Sequence, residues 1–156
     1  MITLIAAVAK NGCIGKNGKL AWRNKEDMAR FKELTMGHVV LMGRKTWESI
    51  PAPFRPLPDR VNVVITRQAE YALPEGVLRF SSIDEALEAL KDREVFVIGG
   101  AEVYAATLAS ADVLELTEIA SEIEGDTFFP TFDRSAWKET ARIDRDGFSW
   151  VTYQKK

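Results

Sequence analysis

Cysteine and histidine are nearly absent from this sequence of 156 residues, which contains only Cys13 and His38 of these types. A single cysteine cannot form an internal disulfide, and two isolated residues do not make the ligand cluster that a zinc site requires. We therefore expect no metal site. A reducing compartment such as the cytoplasm is the expected location.

The sequence also lacks a strong net charge and a long hydrophobic run. Its formal net charge is −2 at pH 7, which argues against broad binding to nucleic acid or to a membrane surface. The apolar stretch at 2–9 is too short to span a bilayer, and no charged leader precedes it, so we expect no secretory signal. With no repeat or long linker, residues 1–156 are expected to form one domain.

The sequence does contain an alternation of apolar strands and amphipathic helices. Strands are predicted at 2–9, 39–43, 61–67, 77–80, 95–98, 113–119, 137–143 and 148–154. Helices are predicted at 25–36 and 44–50. A third helix begins at a capping box formed by Ser82 and Glu85 and ends at residue 90, and a fourth follows Gly99 and Gly100 and ends at residue 108. This order predicts an α/β fold with a largely parallel buried sheet and an antiparallel ending.

Asp27 is the most informative residue of the chain. It follows the candidate N-cap Asn24 by three residues, so its carboxylate could reach back to the cap amide. The spacing of Asp27, Phe31 and Leu34 also places all three on one side of the same helix. A carboxylate on an apolar face is costly unless a cationic or hydrogen-bonding ligand meets it. The pattern alone leaves helix capping and a functional role both open.

Three predicted strands end in groups that suit a phosphorylated ligand, and ligands of open α/β sheets bind at this edge. The strand ends carry Gly43-Arg44-Lys45-Thr46, Thr66-Arg67 and Gly99-Gly100. Free amides, positive charges and hydroxyls bind phosphate, and glycine permits close backbone approach. Each strand end could equally be a solvated surface or a plain turn, and the glycine pair matches no dinucleotide or phosphate-loop motif. Together the three strand ends favour a phosphorylated ligand, but they do not identify it.

Beyond these patterns, the sequence resembles bacterial dihydrofolate reductase over nearly its whole length. The matching segments, in order, are Ile5-Ala6-Ala7, Ile14-Gly15, Trp22, Asp27 with Phe31-Lys32, Met42-Gly43-Arg44, Thr46 to Ile50, Ile98-Gly99-Gly100, Tyr104 and Glu124 to Thr127. The resemblance implies a central mixed, mostly parallel β-sheet with flanking helices. It also implies NADPH-dependent reduction of 7,8-dihydrofolate to tetrahydrofolate, with hydride transfer to C6 and protonation at N5, in support of one-carbon metabolism.

The resemblance assigns catalytic roles to Asp27, Trp22 and Thr117. Asp27 matches the family's acid, which pairs with the 2-amino group and N3 of the pterin, orients the ring and favours protonation at N5. Thr117 matches the threonine that bonds this acid. Trp22 matches the indole that anchors an ordered water, although without the resemblance it would be interpreted as a half-buried packing residue.

The resemblance also implies the walls of a substrate pocket. Its residues are Ile5, Ala6, Met28, Phe31, Ile50, Leu57, Arg60 and Ile98. Most of these are also ordinary core residues, for which burial is explanation enough. In the family an arginine grips the α-carboxylate of the substrate's glutamate tail, a role that suits the planar fork of guanidinium donors. Arg60 is favoured over Arg55 for this role.

The cofactor implied by the resemblance is NADPH. The residues expected against it are Ala7, Ile14, Gly15, Leu20, Gly43, Arg44, Lys45, Thr46, Thr66, Arg67, Gly99, Gly100 and Tyr104. Arg44 and Arg67 match positions around the 2′-phosphate, whose charge favours NADPH over NADH. In the family the two glycines are joined by a cis peptide bond. The other implied partners are dihydrofolate and antifolate inhibitors, and the enzyme is expected to be a monomer.

The sequence departs from the family pattern at Ala21, Lys25, Glu102 and Gly147. Ala21 and Lys25 stand where prolines are common, so the unbound active-site loop has more conformations and its closure costs more entropy. Glu102 stands where some relatives have a basic residue, and Gly147 where some have a serine that holds an alternative loop state.

The segment Gly125-Asp126-Thr127 is either a plain turn or, by the resemblance, the brace of a mobile loop at 15–24. Two other functions also stay open. One is a different pterin- or pyrimidine-reducing enzyme of the same fold. The other is a non-catalytic nucleotide-binding module, which would not require Asp27.

Overall fold

The computed structural model describes residues 1–156. Its strands are β1 (Ile2–Val8), β2 (Cys13–Lys16), β3 (Lys19–Leu20), β4 (Val39–Gly43), β5 (Val61–Ile65), β6 (Leu78–Phe80), β7 (Val95–Gly99), β8 (Val113–Ile119), β9 (Thr127–Phe128), β10 (Trp137–Asp144) and β11 (Phe148–Lys155). Its helices are α1 (Lys25–Thr35), α2 (Arg44–Ser49), α3 (Ile83–Ala89) and α4 (Ala101–Thr107). None of these helices combines the length and the apolar character needed to cross a membrane.

Eight strands form the main sheet in the order β10-β11-β8-β1-β7-β4-β5-β6. All pairs from β8 to β6 are parallel, and only β11 and β10 join in antiparallel fashion. The predicted mixed, mostly parallel α/β sheet is therefore confirmed, with element ends within two residues of the predicted ones. Parallel strands need crossover connections, which place the helices on the faces of the sheet.

A second sheet of three strands, in the order β3-β2-β9, was not predicted from the sequence. Its strands have two to four residues and carry lysine and glycine rather than an apolar alternation. Strands this short have no periodicity to detect. Their pairing defines them: β2 and β3 form a local hairpin, and β2 pairs with β9 more than a hundred residues away, as Cys13 does with Phe128.

The main sheet separates two hydrophobic clusters. Successive residues of one strand enter different clusters, as Leu4 and Ile5 do in β1, because side chains of a strand alternate between its faces. Phe31 and Leu34 of α1 pack against the smaller cluster, which contains Ile5. The predicted inward side of α1 is therefore confirmed, and it carries Asp27 toward the sheet.

Helices α1 and α3 each begin with a side-chain cap. The Asn24 side chain accepts a hydrogen bond from the Asp27 amide at 3.0 Å, and the Ser82 hydroxyl accepts from the Glu85 amide at 3.1 Å. The predicted capping box at Ser82 is only half formed, because the Glu85 carboxylate accepts from the Ser81 hydroxyl at 2.9 Å instead of from the cap amide. A neighbouring hydroxyl has replaced the backbone as its partner.

We expect Leu41→Ala to reduce the free energy of unfolding by about 2–5 kcal/mol, because it leaves a cavity beside β4. Leu41 is fully buried between two parallel neighbours. The matched change Leu78→Ala, on the edge strand β6 where the leucine is 42% exposed, should cost about 1 kcal/mol or less. Denaturant unfolding of both variants measures the difference, and equal losses would contradict this account of the core.

Candidate active site

The carboxylate of Asp27 points to the sheet and not to its own helix cap. Its Oδ1 accepts a hydrogen bond from the Thr117 hydroxyl at 2.5 Å and a second from the Trp150 indole N–H at 2.9 Å. No hydrogen bond from the protein reaches its Oδ2. The amide of Asp27 bonds to the helix cap and the side chain bonds to the sheet, so the carboxylate does not cap its helix. Its functional role stays a prediction. The expected bond from Thr117 is present.

Trp150 was missed by the sequence analysis. Thr117 of β8 and Trp150 of β11 are direct partners in the antiparallel register, so their side chains leave the same face of the sheet side by side. The residues are 33 positions apart, and the register of the two strands cannot be read from their apolar patterns. The sequence feature that could have indicated it is a tryptophan within a predicted strand, because a buried indole N–H needs a hydrogen-bond acceptor.

Trp22 lies at the border of this site. It is partly buried, and its ring packs edge-on against Phe148 with centroids 5.3 Å apart. Phe148 in turn packs against Trp150 at 5.5 Å. The three rings form a continuous row of contacts that ends at the indole bonded to Asp27. The role of Trp22 as the anchor of a water stays a prediction.

Most of the expected substrate residues lie together below Asp27. The smaller cluster and its partly buried neighbours include Ile5, Phe31, Ile50, Leu57 and Ile98. Met28, one residue along α1, is 54% exposed. Ala6 packs against the larger cluster, as the alternation of β1 requires. Apart from Ala6, whose side chain lies on the opposite face of the sheet, these side chains form an apolar wall, and the exposed Met28 lies at its rim.

Arg60 and Arg55 have different surroundings. Arg55 uses one guanidinium nitrogen to donate to the carbonyls of Trp47, Glu48 and Ile50, at 3.1, 3.1 and 3.2 Å, and so closes the end of α2. Arg60 donates through Nε to the Pro58 carbonyl and through Nη1 to the Thr35 hydroxyl. Burial lowers the pKa of Arg60 from its ordinary value. Its second terminal nitrogen has no protein acceptor and is available to a ligand.

Glycines bring the ends of β4 and β7 into close contact. Gly99 and Gly100 are joined by a cis peptide bond, as expected, and Gly99 has a φ of +133°. A Cβ on Gly99 or Gly100 would lie 3.3 or 3.4 Å from the Thr46 hydroxyl oxygen. Gly43 and Gly100 begin α2 and α4 without a side-chain cap. The amides at both helix starts are therefore open to a ligand.

Tyr104 of α4 links this glycine edge to the apolar wall. It is buried, and its hydroxyl donates to the Ile5 carbonyl at 2.7 Å. Burial raises the pKa of Tyr104, so the hydroxyl keeps its proton and remains a donor at ordinary pH. The same hydroxyl lies 3.6 Å from the position that a Cβ on Gly99 would take, so Tyr104 contacts both β1 and the end of β7.

The basic residues expected near a phosphate follow neighbouring strand ends. Gly43 and Ile65 pair in register, so Arg44 and Thr66 leave β4 and β5 next to each other. The Thr66 hydroxyl is buried and accepts from the Gln68 amide at 3.1 Å. Lys45 and Arg67 are exposed. These positions agree with a basic rim around the open helix start of α2.

Arg44 has an acidic partner in the structure. Its Nη1 donates to Glu48 at 2.9 Å, and the Tyr71 hydroxyl donates to the other carboxylate oxygen at 2.6 Å. The hydrogen bond from Tyr71 is the main reason that the pKa of Glu48 lies below its ordinary value. Arg44 is therefore oriented before any ligand arrives, and its Nε and Nη2 have no acceptor from the protein.

The small sheet carries the remaining residues expected near the cofactor. Ile14 and Gly15 lie in β2, and Leu20 in β3 is 62% exposed. Ala7 of β1 pairs in register with Thr117 and so lies at the level of the Asp27 site. The exposed leucine marks the outer surface of this loop region.

The segment 125–127 braces this small sheet and is more than a plain turn. Asp126 donates its amide to the Gly15 carbonyl at 3.0 Å and accepts from the Asn17 amide through its carboxylate at 3.1 Å. A Cβ on Gly125 would overlap the Cys13 sulfur and the Gly15 carbonyl oxygen, so only glycine fits. The expected contact with the 15–24 loop is confirmed. Its effect on loop motion stays a prediction.

Comparisons with known proteins agree with this geometry. A family model described as "Dihydrofolate reductase" matches residues 1–154. The dihydrofolate reductase HdrB of Haloferax volcanii is 47% identical over 161 aligned residues, which cover 98% of this chain and 82% of that protein. The dihydrofolate reductase of Neisseria meningitidis is 47% identical over 145 residues, which cover 92% of this chain and 88% of that protein.

A solved structure shares the fold. It is the dihydrofolate reductase from Enterococcus faecalis complexed with NADP(H) and RAB-propyl, and it superposes with a TM-score of 0.89 at 34% identity. The match covers 100% of this chain and 96% of that one. The site around Asp27, the shared fold and the family match over nearly every residue lead to one conclusion: this chain belongs to the dihydrofolate reductase family.

Proposed function

We propose that Asp27 is the residue through which this enzyme binds and activates its substrate. The reaction is the NADPH-dependent reduction of 7,8-dihydrofolate to 5,6,7,8-tetrahydrofolate, which supports one-carbon metabolism. The observation that carries the proposal is the half-satisfied carboxylate. Its Oδ1 is held by two donors from the sheet, while its Oδ2 has no donor from the protein. That oxygen is free to accept hydrogen bonds from the N–H groups of a ligand.

The 2-amino group and N3 of the dihydropterin match this acceptor. Two N–H donors side by side meet the two oxygens of a carboxylate, and such charge-assisted pairs fix the plane of the ring. The wall formed by Ile5, Phe31 and Ile98 then excludes water from the ring faces. Asp27 as an anion favours the protonated ring at N5, where Trp22 would hold the water that delivers the proton. NADPH, when bound, supplies the hydride for C6.

The residues present fit NADPH. Gly99 and Gly100 leave a cradle that a Cβ would fill against Thr46. Open amides at the start of α2 and the positive charges of Arg44 and Arg67 suit the phosphates. We assign Lys45, Thr46 and Thr66 to the same region, and Ala7, Ile14, Gly15, Leu20 and Tyr104 to the rest of the cofactor.

We also propose that residues 1–156 act as a single catalytic domain, as a monomer in the cytoplasm. The site draws on β1 near the start of the chain and on β11 near its end, so no smaller part of the sequence contains it. The Enterococcus faecalis relative was solved with RAB-propyl. The same carboxylate would accept antifolate inhibitors that present paired N–H groups.

Asp27→Asn should reduce the rate of hydride transfer near neutral pH by about 100-fold or more, because the amide offers one acceptor and no charge. The loss of NADPH absorbance with dihydrofolate measures turnover, and fluorescence titration should show that NADPH still binds. Asp92→Asn, an exposed aspartate without a recorded side-chain bond, is the matched control. Near-normal turnover of the Asp27 variant would refute its role.

Arg60→Lys should raise the KM for dihydrofolate about tenfold and leave the rate of hydride transfer nearly unchanged, because the planar fork that grips the α-carboxylate is lost. A truncated dihydropterin without the glutamate tail should not distinguish the variant from the wild type. Arg55→Lys is the control and should lower thermal stability instead, since it opens the carbonyl contacts at the end of α2. An unchanged KM for Arg60→Lys would rule out the assignment.

Asp126→Ala should slow hydride transfer about threefold, because the 15–24 loop loses the hydrogen bond from the Asn17 amide to the Asp126 carboxylate. The hydrogen bond from the Asn17 amide is the main reason that the pKa of Asp126 lies below its ordinary value of 3.8. The brace is therefore complete above that pH and is lost as pH falls through the lowered pKa. Stopped-flow measurements near neutral pH provide the test.

The matched control is Asp133→Ala. Asp133 is another exposed aspartate with a lowered pKa, held by Ser135 away from the loop. The Asp133→Ala variant should leave the rate of hydride transfer unchanged. The same rate for Asp126→Ala and the wild type would show that the brace does not govern loop closure.

A further inference from the structure

We infer that Trp150 is a positioning residue of the reaction: its indole N–H holds one oxygen of the Asp27 carboxylate and so directs the other oxygen to the substrate. The inference rests on the proposed role of Asp27. It adds a residue from the last strand to a site that otherwise consists of a helix and the middle of the sheet.

Two donors from neighbouring strands meet at the same atom. Trp150 donates to Asp27 Oδ1 at 2.9 Å, and Thr117 donates to it at 2.5 Å. Because Trp150 and Thr117 are register partners on β11 and β8, the distance between the two donors is set by the sheet itself. A single donor would leave the carboxylate free to rotate about that bond. Two donors at one oxygen define where the other oxygen points.

Trp150 is itself held on several sides. It is 6% exposed, and Phe148 packs against it edge-on at 5.5 Å. The guanidinium carbons of Arg30 and Arg145 lie 4.9 and 5.1 Å from its ring centre. These cation–π contacts and the aromatic pair stabilise one orientation of the ring. The N–H therefore does not need to be ordered by the ligand.

The two arginines on Trp150 do not neutralise Asp27. Arg30 pairs with Glu115 at 3.3 Å, and Arg145 pairs with Glu26 at 3.6 Å. No cationic side chain lies within ion-pair distance of Asp27, and both of its side-chain donors are neutral groups. Neutral donors orient an anion and leave its charge unpaired. That charge is then available to the protonated pterin, which is the form that accepts a hydride.

Loss of the indole N–H has two distinct consequences for the reaction. A carboxylate with one donor fewer holds a proton more tightly, so in the complex the proton lies on Asp27 more often and on the pterin less often. The limiting rate of hydride transfer then falls. The pH at which this rate is half-maximal rises, because the acid–substrate pair as a whole retains its proton to higher pH.

The variant Trp150→Phe keeps a buried aromatic ring and removes the N–H. We expect single-turnover hydride transfer to slow about tenfold at low pH, and its half-maximal pH to rise by about one unit, as the loss of one hydrogen bond to a charged group predicts. The affinity for NADPH should not change. An unmoved half-maximal pH would overturn the inference.

Trp137→Phe is the matched control. Trp137 is also buried, at 7% exposure, but it packs in the larger cluster and makes no hydrogen bond to Asp27. Its variant loses the same chemical group and should leave the half-maximal pH where the wild type has it. Trp150→Phe and Trp137→Phe variants that differ from the wild type only in thermal stability would show that Trp150 is merely structural.

A measurement without turnover keeps the inference testable if Trp150→Phe folds poorly. In the NMR spectrum of the wild-type protein, the indole N–H of Trp150 should resonate downfield and move upfield in Asp27→Asn. A resonance that does not respond to Asp27→Asn would refute the inference. If Asp27→Asn is inactive and the Trp150 resonance does not move, the inference about Trp150 is wrong and the proposed function stands. If Asp27→Asn remains active, the proposed function itself is wrong.

Discussion

The attachment of one carboxylate to the sheet is the interaction on which the site depends. Asp27 sits in the first turn of α1, yet its side chain is bonded to β8 and β11. A partly buried carboxylate without hydrogen-bond donors would pay a desolvation cost. The two donors meet that need and tie the helix to the sheet. The same contacts serve stability and recognition.

The parallel order of the strands explains why the other half of the site lies beside this carboxylate. The carboxyl ends of β1, β7, β4 and β5 meet at one edge of the sheet, and β4 and β7 are followed by helix starts without a side-chain cap. Tyr104 joins this edge to β1 through the Ile5 carbonyl. A hydride must pass between two ligands held at a short, constant distance. Neighbouring parallel strands supply that distance without a dedicated element.

Several parts of the site were predictable for definite reasons. The inward side of α1 followed from the spacing of Asp27, Phe31 and Leu34, since a helix repeats every 3.6 residues. The bond from Thr117 and the cis bond at Gly99 followed from the family resemblance. Trp150 could not be predicted, because its partner lies on another strand and an error of one residue in register would turn its side chain to the opposite face.

The sequence by itself determined the order of strands and helices, the apolar faces and the chemical groups available, because these depend on local propensity and periodicity. It left open whether Asp27 caps its helix or faces a ligand, and whether Gly125 to Thr127 is only a turn. The tertiary structure decided that the Asp27 carboxylate bonds to β8 and β11 and not to its helix cap, and that Asp126 contacts Gly15 and Asn17. The reason is geometric: a hydrogen bond between residues 90 or 123 positions apart exists only after the strands have paired.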